Sequence, residues 1–169
     1  MTKPFVAVLM GSDSDLPVME STIDVLRQFE VISEVKITSA NRTPEATCAY
    51  VKDAELRGCA VFIAAAGLAA HLAGSVAALT LKPVIGVPME GGPLNGMDAL
   101  LSTVQMPGGV PVACVAIGKA GARNAGYLAA QILALQDPVL AERLRAERAA
   151  NAEAIQRKDA ALGERFKHN

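Results

Sequence analysis

The residues able to do chemistry sit in short polar clusters, each directly behind an apolar run. Residues 11–15 read GSDSD, residues 39–44 read SANRTP, and residues 65–74 read AAGLAAHLAG. The second cluster packs hydroxyl, amide and guanidinium groups into Ser39, Asn41, Arg42 and Thr43. Arg42 beside Ser39 suits bidentate contact with a phosphate or a carboxylate. A surface salt bridge is its competing use. Thr43 before Pro44 has the pattern of a helix N-cap followed by proline at the first helical position, so Thr43 reads as structural. In GSDSD, Gly11 permits close backbone approach, and Ser12 and Ser14 offer hydroxyls. The helix start behind them favours an anion. Asp13 and Asp15 repel phosphate, but one acid could hold the two hydroxyls of a ribose. Ser and Asp are also ordinary capping residues, and capping explains the same stretch. His71 follows a small-residue turn bracketed by Gly67 and Gly74, where a planar ring could lie against the backbone. It reads as a catalyst or as a satisfied core histidine.

Further along, MEGGPLNGMDALLSTVQMPGGVPV is rich in glycine. Met106–Gly109 within it reads as a lid or as a wide turn. Lys119 could reach a phosphate or close an edge of the fold. Cys48, Cys59 and Cys114 have no C-x-x-C spacing and read as reduced core cysteines of a cytoplasmic protein. No metal-ligand cluster, Walker A pattern, G-x-S-x-G elbow or G-x-G-x-x-G is present. From the residues alone, the ligand is a phosphorylated, ribosylated small molecule bound across the first three clusters.

These clusters must be positioned by a regular scaffold. FVAVLM (Phe5 to Met10) is a continuous apolar run closed by Gly11 and predicts a buried parallel strand. The spacing predicts a helix from Leu16 to Phe29. VISEVKIT (Val31 to Thr38) alternates with period two and predicts a second strand. Pro44 opens a helix to about Arg57, stopped by Gly58. AVFIAAA is a third strand, followed by a short Ala-rich helix to Leu81. VIGVP is a fourth strand, and Glu90 to Gly96 a loop. MDALLSTVQ predicts a short helix, VPVACVAI a fifth strand, and Lys119 to Leu135 the helix after it. Strands alternating with helices imply an open parallel sheet covered on both faces. The expected strand order is 2-1-3-4-5, a flavodoxin-like α/β topology. Such sheets bind ligands at the carboxyl ends of their strands, which is where the three clusters fall.

The bulk properties narrow the class. The chain has 169 residues, of which 51% are hydrophobic, with no Trp. Its length suits one domain. The excess of Ala, Val and Leu predicts closely packed helices and apolar surface for other subunits. With 16 basic and 17 acidic residues and no basic stripe, nucleic acid is not an expected partner. The N-terminal apolar run is too short for a signal peptide. The run from Cys59 to Leu81 is interrupted by His71 and glycine, which argues against a membrane span. Residues 1–137 are read as the flavodoxin-like unit and 138–169 as a helical arm of the same domain. The arm is sparse in apolar residues and dense in charge, and reads as packing on a neighbouring subunit or as a solvated helix.

The clusters, in this order, resemble the 5-(carboxyamino)imidazole ribonucleotide mutases of purine biosynthesis, also called the phosphoribosylaminoimidazole carboxylase catalytic subunit. That family carries G-S-x-S-D, S-A-H-R-T-P, A-G-x-A-A-H-L-x-G and V-Q-M-P-x-G-x-P-V. This chain reads GSDSD, SANRTP, AGLAAHLAG and VQMPGGVPV, then AIGKAGARNA. The match spans about Val6 to Asp137. The resemblance implies an octamer of flavodoxin-like catalytic domains and a reaction without metal or organic cofactor. The carboxylate on the exocyclic nitrogen of the imidazole ribonucleotide moves to ring carbon C4. It also implies that Ser39 and Arg42 bind phosphate with Ser12 and Ser14 close by, and that Asp15 holds the ribose. Ala40, Ala66, Gly67, His71 and Leu72 would line the place of the ring and the migrating carboxylate. The AAHLAG form of the third motif favours the mutase class over the related direct carboxylases.

The departure is Asn41, where the family has the histidine that is its general acid and base. Proton transfer near neutral pH needs a group titrating there, and an unperturbed imidazole does so at about 6.5. Asn has no proton to exchange in that range, so the resemblance implies retained binding and impaired turnover. The substitution reads as engineered to hold substrate or product. The alternative is natural divergence, with a protein that is inactive or that uses His71. Three rival readings are weaker. A flavin module normally sandwiches its ring between aromatics, and the chain has only Tyr50 and Tyr127, both on expected helices. A receiver-type signalling domain needs an acceptor Asp where this chain has Ala-Ala-Gly. A purely structural assembly protein leaves the Ser39–Arg42 corner unexplained.

Overall fold

The structure, a computed structural model, describes residues 3–167. Strand β1 (Phe5–Met10) is buried along its whole length, as a central parallel strand covered on both faces must be. It pairs in parallel with β2 (Ser33–Ile37) on one side and β3 (Cys59–Ala66) on the other, with Val8 opposite Val35 and Ile63. Strand β4 (Val84–Pro88) joins β3, and β5 (Ala113–Cys114) joins β4. The order β2-β1-β3-β4-β5 is the expected flavodoxin-like one. It reverses at β1, so the loops leaving β1, β2 and β3 meet above the sheet.

The helices are α1 (Leu16–Gln28), α2 (Pro44–Leu56), α3 (Leu72–Ala77), α4 (Met97–Val104), α5 (Lys119–Ala134) and α6 (Pro138–Phe166). One sheet face sends Val6, Val8, Met10, Val61 and Ile63 into a core with Met19 and Leu26 of α1 and Ala122, Ala125 and Ala129 of α5. The other sends Phe5, Ala7, Leu9 and Phe62 against Val51 of α2 and Leu72 and Val76 of α3. The alanines of α5 let α1 approach closely. A Cβ on Gly126 would lie 2.9 Å from Val25 Cβ and 3.0 Å from the Thr22 carbonyl oxygen. The buried Thr22 hydroxyl donates to the Ala122 carbonyl across the same contact at 2.6 Å.

Several boundaries differ from expectation. The fifth strand was expected over Val110 to Ile117 but pairs only at Ala113–Cys114. Pro111 has no N–H for the ladder, and Val110 N donates into a turn at Pro107 O, 3.2 Å away. The second strand is trimmed to Ser33–Ile37, an edge strand with Val35 and Ile37 exposed. Helix α3 stops at Ala77 rather than Leu81, because Leu79 N turns back to Val76 O and the Thr80 hydroxyl accepts from Lys82 N. A 3-10 turn over Asp13–Asp15, unforeseen in the sequence, joins β1 to α1.

Helix α6 is capped by Asp137, whose carboxylate accepts from Leu140 N at 3.0 Å. Its first turns are held by buried Leu140, by an Arg143–Glu30 ion pair of 2.6 Å and by a Tyr127–Glu147 hydrogen bond. Residues 155–167 are exposed throughout. No described helix is long and apolar enough to cross a membrane.

Candidate active site

A cavity of about 600 Å³ opens at the carboxyl end of the sheet. Eleven of the residues singled out in the sequence line it: Ser12, Ser14 and Asp15 behind β1; Ser39, Ala40, Asn41 and Arg42 behind β2; and Ala66, Gly67, His71 and Leu72 from β3 into α3. Gly11, Leu68 and Ala69 complete these walls. Glu90, Gly91 and Gly92 add a fourth wall that the motif reading did not assign. Their signal was positional, since they follow β4 at the same end of the sheet. Gly92 lies so close to Leu68 that a Cβ there would stand 2.8 Å from Leu68 Cδ2. Leu68 itself adopts φ 56, a left-handed conformation unfavourable for a bulky side chain.

Behind β1, capping and site-lining coexist. Ser12 Oγ accepts from Ser14 N at 3.3 Å, and the Asp15 carboxylate accepts from Ser12 N at 3.2 Å, a reciprocal capping box. The Asp15 carboxyl is pushed above its ordinary value of 3.8, chiefly by burial. The Ser12 N–H hydrogen bond opposes that rise and the neighbouring Asp13 charge adds to it.

Behind β2, Thr43 is structural, but not as the side-chain N-cap its position suggested. Its hydroxyl turns back to accept from Ser39 N at 2.9 Å and donate to Ser39 O at 3.2 Å, closing the 39–43 loop. Beneath it the buried Thr38 and Thr47 hydroxyls share a 2.7 Å hydrogen bond. Ser39 Oγ accepts from Arg42 N at 3.1 Å. Arg42 Nη2 donates to Gly11 O at 2.8 Å, tying the second loop to the first. Arg42 forms no ion pair among the described residues, so the salt-bridge use is not realised.

Behind β3, His71 stands at the N-cap position of α3 and is exposed to the cavity, so it is not a core histidine. Its Nδ1 lies 3.1 Å from Asn41 Oδ1, joining the second and third loops. Leu72 is buried, with one side in the core and the other forming cavity floor.

Other singled-out residues lie elsewhere. Lys119 begins α5 and is not in the cavity wall. Met106 packs on α3, its Sδ 3.4 Å from where a Gly74 Cβ would be. Gly109–Pro111 line a separate cavity of about 740 Å³ at the amino ends of β4 and β5. Within this chain, residues 109–111 therefore form a turn away from this site. That second cavity is larger, but among the described residues its charged lining is Glu55 and Lys82. Tyr50 donates to Glu34, Tyr127 bonds Glu147, and neither reaches the candidate site. Burial pushes the Cys59 thiol up to about 11, away from reactivity.

Comparison with known proteins bears on the fold and the family. The model of the AIR carboxylase family matches residues 5–154. The N5-carboxyaminoimidazole ribonucleotide mutase of Synechocystis sp. is 57% identical over 141 residues, 83% of this chain and 79% of that protein. The mutase of the same name from Mycobacterium tuberculosis is 52% identical over 160 residues, 95% of this chain and 91% of its own. Among solved structures, PurE of Treponema denticola superposes with a TM-score of 0.86 at 30% identity, covering 95% of this chain and 99% of that one. With the family model matched over residues 5–154 and relatives more than half identical over most of its length, the chain belongs to the AIR carboxylase family.

Proposed function

We propose that this chain acts in purine biosynthesis on 5-(carboxyamino)imidazole ribonucleotide and 4-carboxy-5-aminoimidazole ribonucleotide, interconverting them by decarboxylation and recarboxylation at ring C4. The observation that carries the reading is the convergence of the loops behind β1, β2 and β3 on one cavity. Those loops offer a guanidinium and hydroxyls for a phosphate, a carboxylate for ribose hydroxyls, and small residues for a planar ring. Arg42 and Ser39 bind the phosphate, with Ser12 and Ser14 beside them. Asp15 accepts from the ribose. Ala40, Ala66, Gly67 and Leu72 bound the ring.

The reaction balances without an external reagent. The N–C bond to the carboxylate breaks, releasing carbon dioxide inside the cavity. Ring carbon C4 attacks it, forming a C–C bond. The C4–H bond then breaks, its electron pair returns to the ring, and the exocyclic nitrogen gains one proton. One acid–base group can receive the first proton and supply the second, and no metal or organic cofactor is required. In the family pattern that group stands at position 41. With Asn41 there, turnover is impaired and ligand is held. A second reading, a protein that binds the ribonucleotide without turnover, is favoured by Asn41 itself. Assembly is as a homo-octamer, in which the exposed Ile155, Leu162 and Phe166 of α6 pack on a neighbour.

Calorimetric titration with the C4-carboxylated ribonucleotide and with its phosphate-free nucleoside tests the site. Hydrogen bonds to charged groups contribute about 1.5–3 kcal/mol. Arg42→Ala is therefore expected to weaken ribonucleotide binding roughly 10- to 100-fold and to leave nucleoside binding little changed. Equal affinity for nucleotide and nucleoside, or no effect of Arg42→Ala, would overturn the reading.

A further inference from the structure

The charged and titratable side chains lining the cavity are Asp15, Arg42, His71 and Glu90. Of these residue types only imidazole has an ordinary pKa near neutrality. A neutral imidazole carries one N–H and one accepting nitrogen, and the partner of one nitrogen decides the role of the other. His71 Nδ1 faces the side-chain oxygen of Asn41 at 3.1 Å, and an amide oxygen can only accept. His71 Nε2 has no protein hydrogen-bond partner among the described residues.

We propose that Asn41 is a positioning residue for His71: its amide oxygen holds the proton on Nδ1 and leaves Nε2 as the proton acceptor of the cavity. The pair is suited to proton traffic because Nδ1–H is a donor in both the neutral and the cationic ring. Nε2 can therefore gain and lose a proton while the Asn41 contact persists. The identity of that proton rests on the mutase reading. It is the one leaving C4, which forms Nε2–H and is then returned to the exocyclic nitrogen. The residue that cannot carry the proton thus orients one that can, and this chain retains a slow route for turnover.

The tautomer can be read without substrate. Long-range proton–nitrogen correlation on 15N-labelled protein at pH 9 resolves the ring nitrogens, and the chain has only two histidines. The expected result is His71 protonated at Nδ1, with a shift of the majority to Nε2–H in Asn41→Ala. Asn41→Asp, which keeps an accepting oxygen, restores Nδ1–H. Nε2–H in the unsubstituted chain, as an amide turned to donate would produce, overturns the proposal, and so does a tautomer unmoved by Asn41→Ala. Residual conversion of the carboxyamino ribonucleotide should then fall at least tenfold in His71→Gln, and undiminished conversion overturns the proton-acceptor role. An Nδ1–H tautomer in a protein that neither binds nor converts the ribonucleotide upholds the pair and refutes the mutase reading instead.

Discussion

At Asp15 two demands conflict. Its carboxylate closes the capping box through Ser12 N, yet burial pushes its pKa above the ordinary 3.8. An acid whose pKa is raised on folding resists ionisation in the folded state. The stability it contributes is present below the unfolded value and is lost as pH rises through the folded one. At pH 7 the charged form therefore weakens the fold. Asp15→Asn keeps an oxygen for Ser12 N and removes the charge. Its melting temperature should exceed that of the unsubstituted chain at pH 7, and the difference should vanish near pH 3. Thermal melts across that range check it, and a gain of the same size at both ends would contradict the burial cause. The same variant should bind the ribonucleotide more weakly, because a neutral amide is the poorer acceptor for ribose hydroxyls. At this scale the chemistry was largely legible: hydroxyl, acid, guanidinium and imidazole behind successive strands predicted the cavity lining. The role of Ser12 was not separable, because one side chain can cap a turn and line a site at once. The Asn41–His71 contact joins residues 30 apart in sequence and depends on how two loops fold back.

Among the elements, strands β1 and β4 begin and end, and helix α6 begins, where apolar runs, glycine and proline predicted. Of the misplaced boundaries, at β2, β5 and α3, the last two lie where hydrogen bonds divert into turns. Periodicity reports which face is buried and says little about where a ladder stops. The α1–α5 contact shows how little room the small residues leave. At Gly126 an added methyl would meet Val25 and the Thr22 backbone within about the 3.0 Å that real contacts avoid. Overpacking of this kind costs about 1–3 kcal/mol. Gly126→Ala should be destabilised by that amount in urea titration, whereas Gly163→Ala, with open space at its Cβ, should not be. Comparable midpoints for the two would mean that α1 moves away freely.

For the whole molecule, a central buried strand flanked on both sides places the loops behind β1, β2 and β3 together, and the fold was legible because every connection followed the alternation of strand and helix. Apolar surface for a neighbour was legible only as a tendency. Exposed Leu56, Leu81, Met97 and Leu101 offer apolar surface of the kind a neighbour covers, but composition does not say which face meets which. The proposed turnover belongs to this scale because no single loop holds both the Ser39–Arg42 corner and His71. The most direct measurement supplies carboxyaminoimidazole ribonucleotide labelled with carbon-13 in its carboxylate. The chain and its Asn41→His variant are compared while the label is followed by NMR. The account predicts label arriving at C4 in both, with the histidine form faster by about 10²–10⁴-fold, the usual contribution of general acid–base catalysis. Equal rates, or no transfer by either folded protein, would contradict it.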